Sequence, residues 1–383
     1  MAAEPKVHRS AEVLPATREL PNPFMLADGS KVRTPDDWQR RRGELKSLFE
    51  DYEYGHLPPK PEKMTVRRGD ALKDPASGVN REEWRLDMQH GGKTMSLDVT
   101  LTLPKDASEP VPVVVQGGFG GRRRPRGTIS NAIVEGGYAL AEVDFMQIVI
   151  DNKEQARESG IYELFGEDID CGALMAWAWG MHRAIDALVE DDRIDPKKIV
   201  VTGHSRYGKA ALVAGAFDER IALTVPSHSG CAGSAPFRFI FGNSEQLQNI
   251  VGFAPHWFRP DFNRFADKVD ELPLDQHLLK ALVAPRALLA TEGTEDAWTN
   301  PEGSQLTNLA AAEVYKFLDA GDQLSIRFRP VGHIPSSEDL IEFGNHVFFD
   351  KPLSAEFGKL AYPREAEGFT WSAPPRTAPT RSE

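Results

Sequence analysis

Ser205 lies in Val200-Val201-Thr202-Gly203-His204-Ser205-Arg206-Tyr207-Gly208-Lys209, where a short apolar run gives way to a helical pattern across a turn that contains two glycines. A serine hydroxyl carried on a sharp strand-to-helix turn can attack an ester carbonyl, while the free N–H groups of the helix start face the developing oxyanion. The usual spacing for such an elbow is Gly-x-Ser-x-Gly. Here the second glycine comes one residue late, at Gly208, although small residues still flank the turn. The plain alternative is that Ser205 caps the helix. A serine nucleophile needs an imidazole and a carboxylate to orient it, in the chain order Ser, acid, His for this type of elbow. His333, in Val331-Gly332-His333-Ile334, follows an apolar run and is the expected base, with His346 a competitor beyond a helical stretch. Asp296, in Gly293-Thr294-Glu295-Asp296-Ala297-Trp298, is the expected acid, and Glu292 and Glu295 are its neighbouring alternatives.

The elements that must position these groups read as follows. Residues 36–51 form an amphipathic helix, and antiparallel strands follow near Glu83–Met88 and Ser96–Leu103. Pro112–Gln116, Tyr138–Val143, Ile199–Thr202, Ala222–Val225, Ala287–Ala290 and Ser325–Phe328 are short buried strands. Helices separate several of them, at Ala173–Val189 (Trp177, Met181, Ile185 and Leu188 on one face), from the elbow to about Ala216, and at about Gly303–Asp319. Strands alternating with helices of this length predict a mostly parallel central sheet in a three-layer α/β/α sandwich, the α/β-hydrolase fold. The predicted organisation is an extended arm over 1–35, one catalytic domain over 36–363 with an aromatic-rich insertion at about 230–284, and an irregular tail over 364–383.

The chain has 383 residues, a formal net charge of −12, 40% hydrophobic and 27% charged residues, which suits a soluble globular protein. The acidic balance argues against nucleic acid or an anionic membrane as a partner, and no apolar run approaches a bilayer span. The N-terminus carries no signal-like segment. Cys171 and Cys231 permit at most one disulfide. His182, His256 and His277 are scattered without metal-ligand spacing, so neither a metal nor a cofactor is expected. Gly117–Gly121 lacks the residues of a phosphate loop and suits a loop beside the oxyanion hole, and Arg122-Arg123-Arg124-Pro125-Arg126 after it suits either an acidic polysaccharide or solvent.

These residues resemble carbohydrate esterase family 15, the glucuronoyl esterases, whose elbow reads Gly-Cys-Ser-Arg-x-Gly-Lys. Gly203-His204-Ser205-Arg206-Tyr207-Gly208-Lys209 carries the pattern, and Ala176-Trp177-Ala178-Trp179-Gly180, Leu272-Pro273-Leu274-Asp275-Gln276-His277, Ala284-Pro285-Arg286 and Trp298…Pro301 extend it over roughly residues 20–350. The resemblance implies cleavage of the ester between a glucuronic acid on xylan and a lignin alcohol. It assigns Ser205 as nucleophile, His333 as base, Arg206 to the oxyanion, Lys209 to sugar hydroxyls and Trp298 to the sugar ring. It also implies a secreted or periplasmic monomer acting on a small-molecule or polysaccharide ester.

Four positions depart from the family. Where many members have a catalytic Glu, 23 residues after the serine, this chain has His228, so the acid passes to Asp296; His228 is either a second functional histidine near the substrate or a satisfied loop residue. The residue before the nucleophile is His204 in place of a cysteine. Two sugar-contacting positions align with Glu245, which can bind hydroxyls, and Phe253, which cannot. These departures keep open an esterase of the same fold acting on another ester, such as an acetylated sugar, and a carbohydrate-binding protein without activity.

Overall fold

Alternating side chains of the valine-rich strands serve two separate cores. Val113, Val115, Ile199, Val201 and Leu288 point into the larger one, and Val114, Val200 and Leu289 into the other. This is the period-two pattern of strands buried on both faces. The computed structural model describes residues 16–73, 79–105, 107–118, 129–158, 160–166, 169–363 and 368–376. The glycine loop beyond Gly118 and the arginine run lie outside the described residues, as do residues 1–15 of the expected arm.

The strands are β1 (Lys63–Arg68), β2 (Leu72–Lys73), β3 (Asn80–His90), β4 (Lys93–Leu103), β5 (Val111–Gly118), β6 (Ala139–Asp144), β7 (Ile194–His204), β8 (Ile221–Ser227), β9 (Ala287–Gly293) and β10 (Leu324–Arg329). They form one sheet in the order β1-β3-β4-β6-β5-β7-β8-β9-β10, with β2 paired to β3. Pairing is antiparallel from β1 through β4 to β6 and parallel from β6 to β10. In the parallel half, His204 is level with Ser227, and Ser227 with Thr291. The C-terminal ends of β7, β8 and β9 therefore stand on one line, where ligands bind in sheets of this kind.

Helices α1 (Pro35–Leu48), α2 (Ile129–Glu135), α3 (Ile161–Phe165), α4 (Ala173–Leu188), α5 (Arg206–Phe217), α6 (Leu247–Phe253), α7 (Gln276–Val283), α8 (Pro301–Phe317) and α9 (Ser337–Phe349) complete the fold. Helices α1, α4, α5, α7 and α8 contribute to the larger core, whereas α2 and α9 cover the opposite face. This is the three-layer α/β-hydrolase arrangement. The last residues of the stretch 230–284 form α7, which packs on α5 and α8 as part of the helical layer. The first helix stops at Leu48 and continues as a π-turn to Tyr54. Cys171 and Cys231 are both free and buried.

Helix α4 is buried around nearly its whole circumference, not on one face alone. The reason is that segments from elsewhere in the chain cover its outer side. Trp179 donates from Nε1 to Pro59 O at 2.9 Å and meets Phe165 edge-on, and Trp177 donates to Val149 O at 3.2 Å. His182 sits against Ala214 O at 3.1 Å, and burial pushes its pKa down to about 4, so it is a neutral core residue. Trp177 stacks on Phe145 at 5.6 Å, and both rings meet the Tyr207 ring edge-on. Three aromatic side chains thus brace the first turn of α5. Replacing Trp177 by Ala should cost roughly 3–5 kcal/mol, the range for emptying a fully buried aromatic site. A thermal melt should show a markedly lower midpoint than for Trp177→Phe, which retains most of the packing.

Candidate active site

The elbow is built by steric exclusion. Ser205 has φ 59° and ψ −126°, a conformation that costs an L-residue on the order of 1–3 kcal/mol unless its surroundings hold it. They do: Ser205 N–H donates to Ser227 O at 2.9 Å, and Gly208 and Lys209 N–H return to Ser205 O. A Cβ on Gly203 would lie 2.2 Å from Tyr207 O. A Cβ on Gly208 would lie 2.9 Å from Gly203 O and 3.0 Å from Ser227 O. The late glycine therefore serves the same crossing of strand and helix that the usual spacing serves. Ser205 stands at the N-cap of α5, but its hydroxyl makes no capping bond.

Across the strand ends, the Asp296 carboxylate collects two imidazoles. His333 Nδ1 lies 2.6 Å and His228 Nδ1 2.9 Å from the same oxygen, Oδ2. Burial pushes the Asp296 pKa up, but the hydrogen bonds from His228 and His333 outweigh it and hold the carboxyl well below the ordinary range. Asp296 is thus a fixed negative charge. With Nδ1 occupied as a donor, the His333 Nε2 lone pair is left to accept a proton. The His204 ring, one residue before Ser205, packs against the His333 ring at 4.2 Å, which ties the imidazole to the elbow. The other acids stand elsewhere: Glu295 is exposed, and Glu292 is buried near Lys280. Burial pushes the Glu292 carboxyl up to about 7 and the Lys280 ammonium down to about 7. His346 bonds the Lys351 carbonyl at 2.9 Å at the end of α9, apart from this group. The donor atoms of His228, Asp296 and His333 lie within 4.8 Å of one another, a spacing that a metal ion could also use and that no local ligand pattern in the chain predicts.

Arg206 is held by a partner that the sequence did not reveal. Its Nη1 donates to Asp151 Oδ2 at 2.6 Å, and its guanidinium lies over the Trp257 ring at 5.1 Å. Asp151 Oδ1 also faces His256 Nε2 at 2.9 Å and accepts from Trp257 Nε1 at 2.8 Å. Burial raises the Asp151 pKa, yet His256, Trp257 and Arg206 together bring it down to about 2. His256, scattered in the sequence, is here part of the clamp. No local signal marks Asp151, because its partners Arg206, His256 and Trp257 stand 55, 105 and 106 positions away in the chain.

Lys209 is buried, and Nζ has its three N–H groups on Ser229 O at 2.7 Å, Cys231 O at 2.5 Å and Glu245 Oε2 at 3.0 Å. All its donors are committed within the protein, so it braces the loop after β8 and does not hold a donor free for a sugar hydroxyl. Glu245 N–H in turn donates to Trp298 O at 2.8 Å. Trp298, 50% exposed, and Phe253, 47% exposed and edge-on to Trp257, are the large aromatic surfaces here. His228 is only 3% exposed and is turned to Asp296. Of the two readings of this residue, its burial and its contact suit the satisfied histidine.

Gly293, at the end of β9, sets the approach of the His333 loop. A Cβ there would meet Val331 O at 2.3 Å, Gly332 O at 2.6 Å and His228 Cε1 at 2.9 Å. Gly293→Ala should therefore displace that loop and lower kcat by at least tenfold, whereas circular dichroism should show the sheet intact. The Asp151 clamp makes a second expectation. A depressed carboxyl pKa stabilises the fold above its unfolded value near 3.8, and that stability is lost as the pH falls through about 2. In urea titrations, wild type should exceed Asp151→Asn by roughly 2 kcal/mol near pH 6, with the gap closing between pH 4 and pH 2.

The chain resembles known proteins along most of its length. A sequence profile described as "Glucuronyl esterase, fungi" matches residues 86–319. A 4-O-methyl-glucuronoyl methylesterase of Cerrena unicolor is 33% identical over 385 residues, covering 94% of this chain and 77% of that protein. The glucuronoyl esterase of Caldicellulosiruptor kristjansonii, a carbohydrate esterase family 15 structure, superposes with a TM-score of 0.83 at 34% identity, covering 93% of this chain and 97% of that one. A mutant glucuronoyl esterase of Sporotrichum thermophile, solved with methyl 4-O-methyl-beta-D-glucopyranuronate, superposes with a TM-score of 0.75 at 28% identity, covering 90% and 91% of the two chains. With a nucleophile-type elbow, a matching fold over nearly its full length and relatives above 30% identity, the chain belongs to carbohydrate esterase family 15, the glucuronoyl esterases, and is a carboxylic ester hydrolase.

Proposed function

We propose that this chain hydrolyses the ester of a 4-O-methyl-glucuronic acid residue with an alcohol, through Ser205, His333 and Asp296. The observation that carries the reading is the 2.6 Å contact of His333 Nδ1 with Asp296, beside an elbow whose serine hydroxyl caps nothing. His333 Nε2 takes the Ser205 proton as Oγ attacks the ester carbonyl. Asp296 balances the imidazolium that results. Arg206, oriented by Asp151, and the first N–H groups of α5 face the oxyanion. The imidazolium returns its proton to the departing alcohol, leaving an acyl-serine. Water, deprotonated by the same imidazole, then attacks that ester, and the uronic acid leaves as Ser205 regains its proton. Lys209 and Glu245 act on the sugar by shaping the wall of the site, and Trp298 offers its exposed ring to the sugar face.

A second ester class is favoured by one observation: Phe253 places an exposed ring where the family resemblance puts a polar sugar contact. An acetylated sugar would make fewer polar demands at that position. Hydrolysis of benzyl glucuronate, run beside an acetylated xylo-oligosaccharide, separates the two. The expected result is release of benzyl alcohol that Ser205→Ala abolishes; cleavage of the acetyl ester alone would replace the reading. Asp296→Asn should lower kcat by about three to four orders of magnitude with the fold intact. Prior treatment with EDTA should leave activity unchanged, and a loss restored by Zn²⁺ would assign His228, Asp296 and His333 to a metal instead.

A further inference from the structure

Asp296 has one oxygen serving two histidines, and only one of these is needed as the base. His228 is the other. Its ring is buried, its Nδ1 is 2.9 Å from Asp296 Oδ2, and its Cε1 lies against the position of a Cβ on Gly293. Its backbone has φ 46°, an unusual conformation for a histidine, and is held there by its N–H on Thr291 O at 2.9 Å. Strand β8 thus ends in a left-handed residue just as β7 does at Ser205. The turn spends conformational strain to aim an imidazole at a carboxylate, which packing alone would not require.

We propose that His228 is a positioning residue for the ester hydrolysis: as a second N–H donor to Asp296 Oδ2, it fixes the carboxylate so that the oxygen stays in line with His333 Nδ1. Asp296 reaches the site from the loop after β9, with one bond from its N–H to Gly293 O and one from Thr299 Oγ1 to its carbonyl. Those bonds anchor its backbone, while the carboxylate has His333 and the Thr299 hydroxyl within hydrogen-bond reach. A donor from β8 adds a fixed point on a third segment and restricts rotation about χ2. The groups around His228 are consistent with this: His204 lies edge-on at 5.5 Å, His333 at 5.6 Å, and the buried Glu292 and Lys280 stand behind it.

This inference rests on the Ser205, His333 and Asp296 reading, and the test keeps the two apart. Asparagine and leucine are close in shape, but only asparagine carries a side-chain N–H, and it also tolerates positive φ. With benzyl glucuronate as substrate, His228→Leu should lose roughly 10- to 100-fold in kcat, the size of one hydrogen bond to a charged group, with KM within about twofold. His228→Asn should stay within about threefold of wild type. If His228→Leu does not fold, His228→Ala replaces it, judged per folded molecule by circular dichroism. Equal losses in the Asn and Leu variants, or an unchanged kcat in the Leu variant, would overturn the proposal and leave His228 as packing. A wild-type enzyme with no Ser205-dependent activity would instead overturn the triad reading, and this inference with it.

Discussion

The site depends on four adjacent parallel strands ending in register. Strand β7 delivers Ser205, β8 His228, β9 Asp296 and β10 His333, each within a few residues of its end. A slip of one residue along any pair moves its group by about 3.3 Å and turns it to the opposite face. No hydrogen bond in the cluster would survive that. The two-sided core sets the register: Val113, Val115, Ile199 and Val201 face one layer of helices, and Val114 and Val200 the other. Chemistry at the strand ends is therefore secured by apolar alternation far below it.

Much of this was legible before the structure. The apolar runs marked six strands close to their observed positions, since a short continuous run between turn residues has few other fates. Gly203, Ser205 and Gly208 marked the elbow although the glycine spacing was irregular, because the requirement is steric and Gly208 meets it against Ser227. Asp296 could be chosen among three neighbouring acids only by its place after a strand. The structure separates them by burial and direction: Glu295 faces solvent, Glu292 turns into the core, and Asp296 meets His333.

What stayed hidden was long-range pairing. Arg206 looked like an oxyanion group on its own, yet its orientation comes from Asp151, His256 and Trp257 on two other segments. Lys209 matched a sugar-binding position, but its three donors end on protein oxygens. His228 looked like the loss of a carboxylate, yet its ring contacts one. A residue's type shows which bonds it can make, and only the fold shows which partner takes them. Helices α2, α3, α6 and α7 carried no clear signal, because segments of five to eight residues are too short to establish a helical period.

The described chain also closes on itself. Leu20 N–H donates to Gly368 O at 2.8 Å, Trp371 donates from Nε1 to Leu20 O at 2.9 Å, and Phe24 meets the Trp371 ring edge-on at 6.2 Å. Segments some 350 residues apart in sequence thus form a clasp over α8, tied to it by Ala373 N–H on Glu313. Between these points the backbone is effectively a ring. Cutting it elsewhere and joining it here would demand little new geometry, so the order in which the elements are threaded is separable from the architecture that they build.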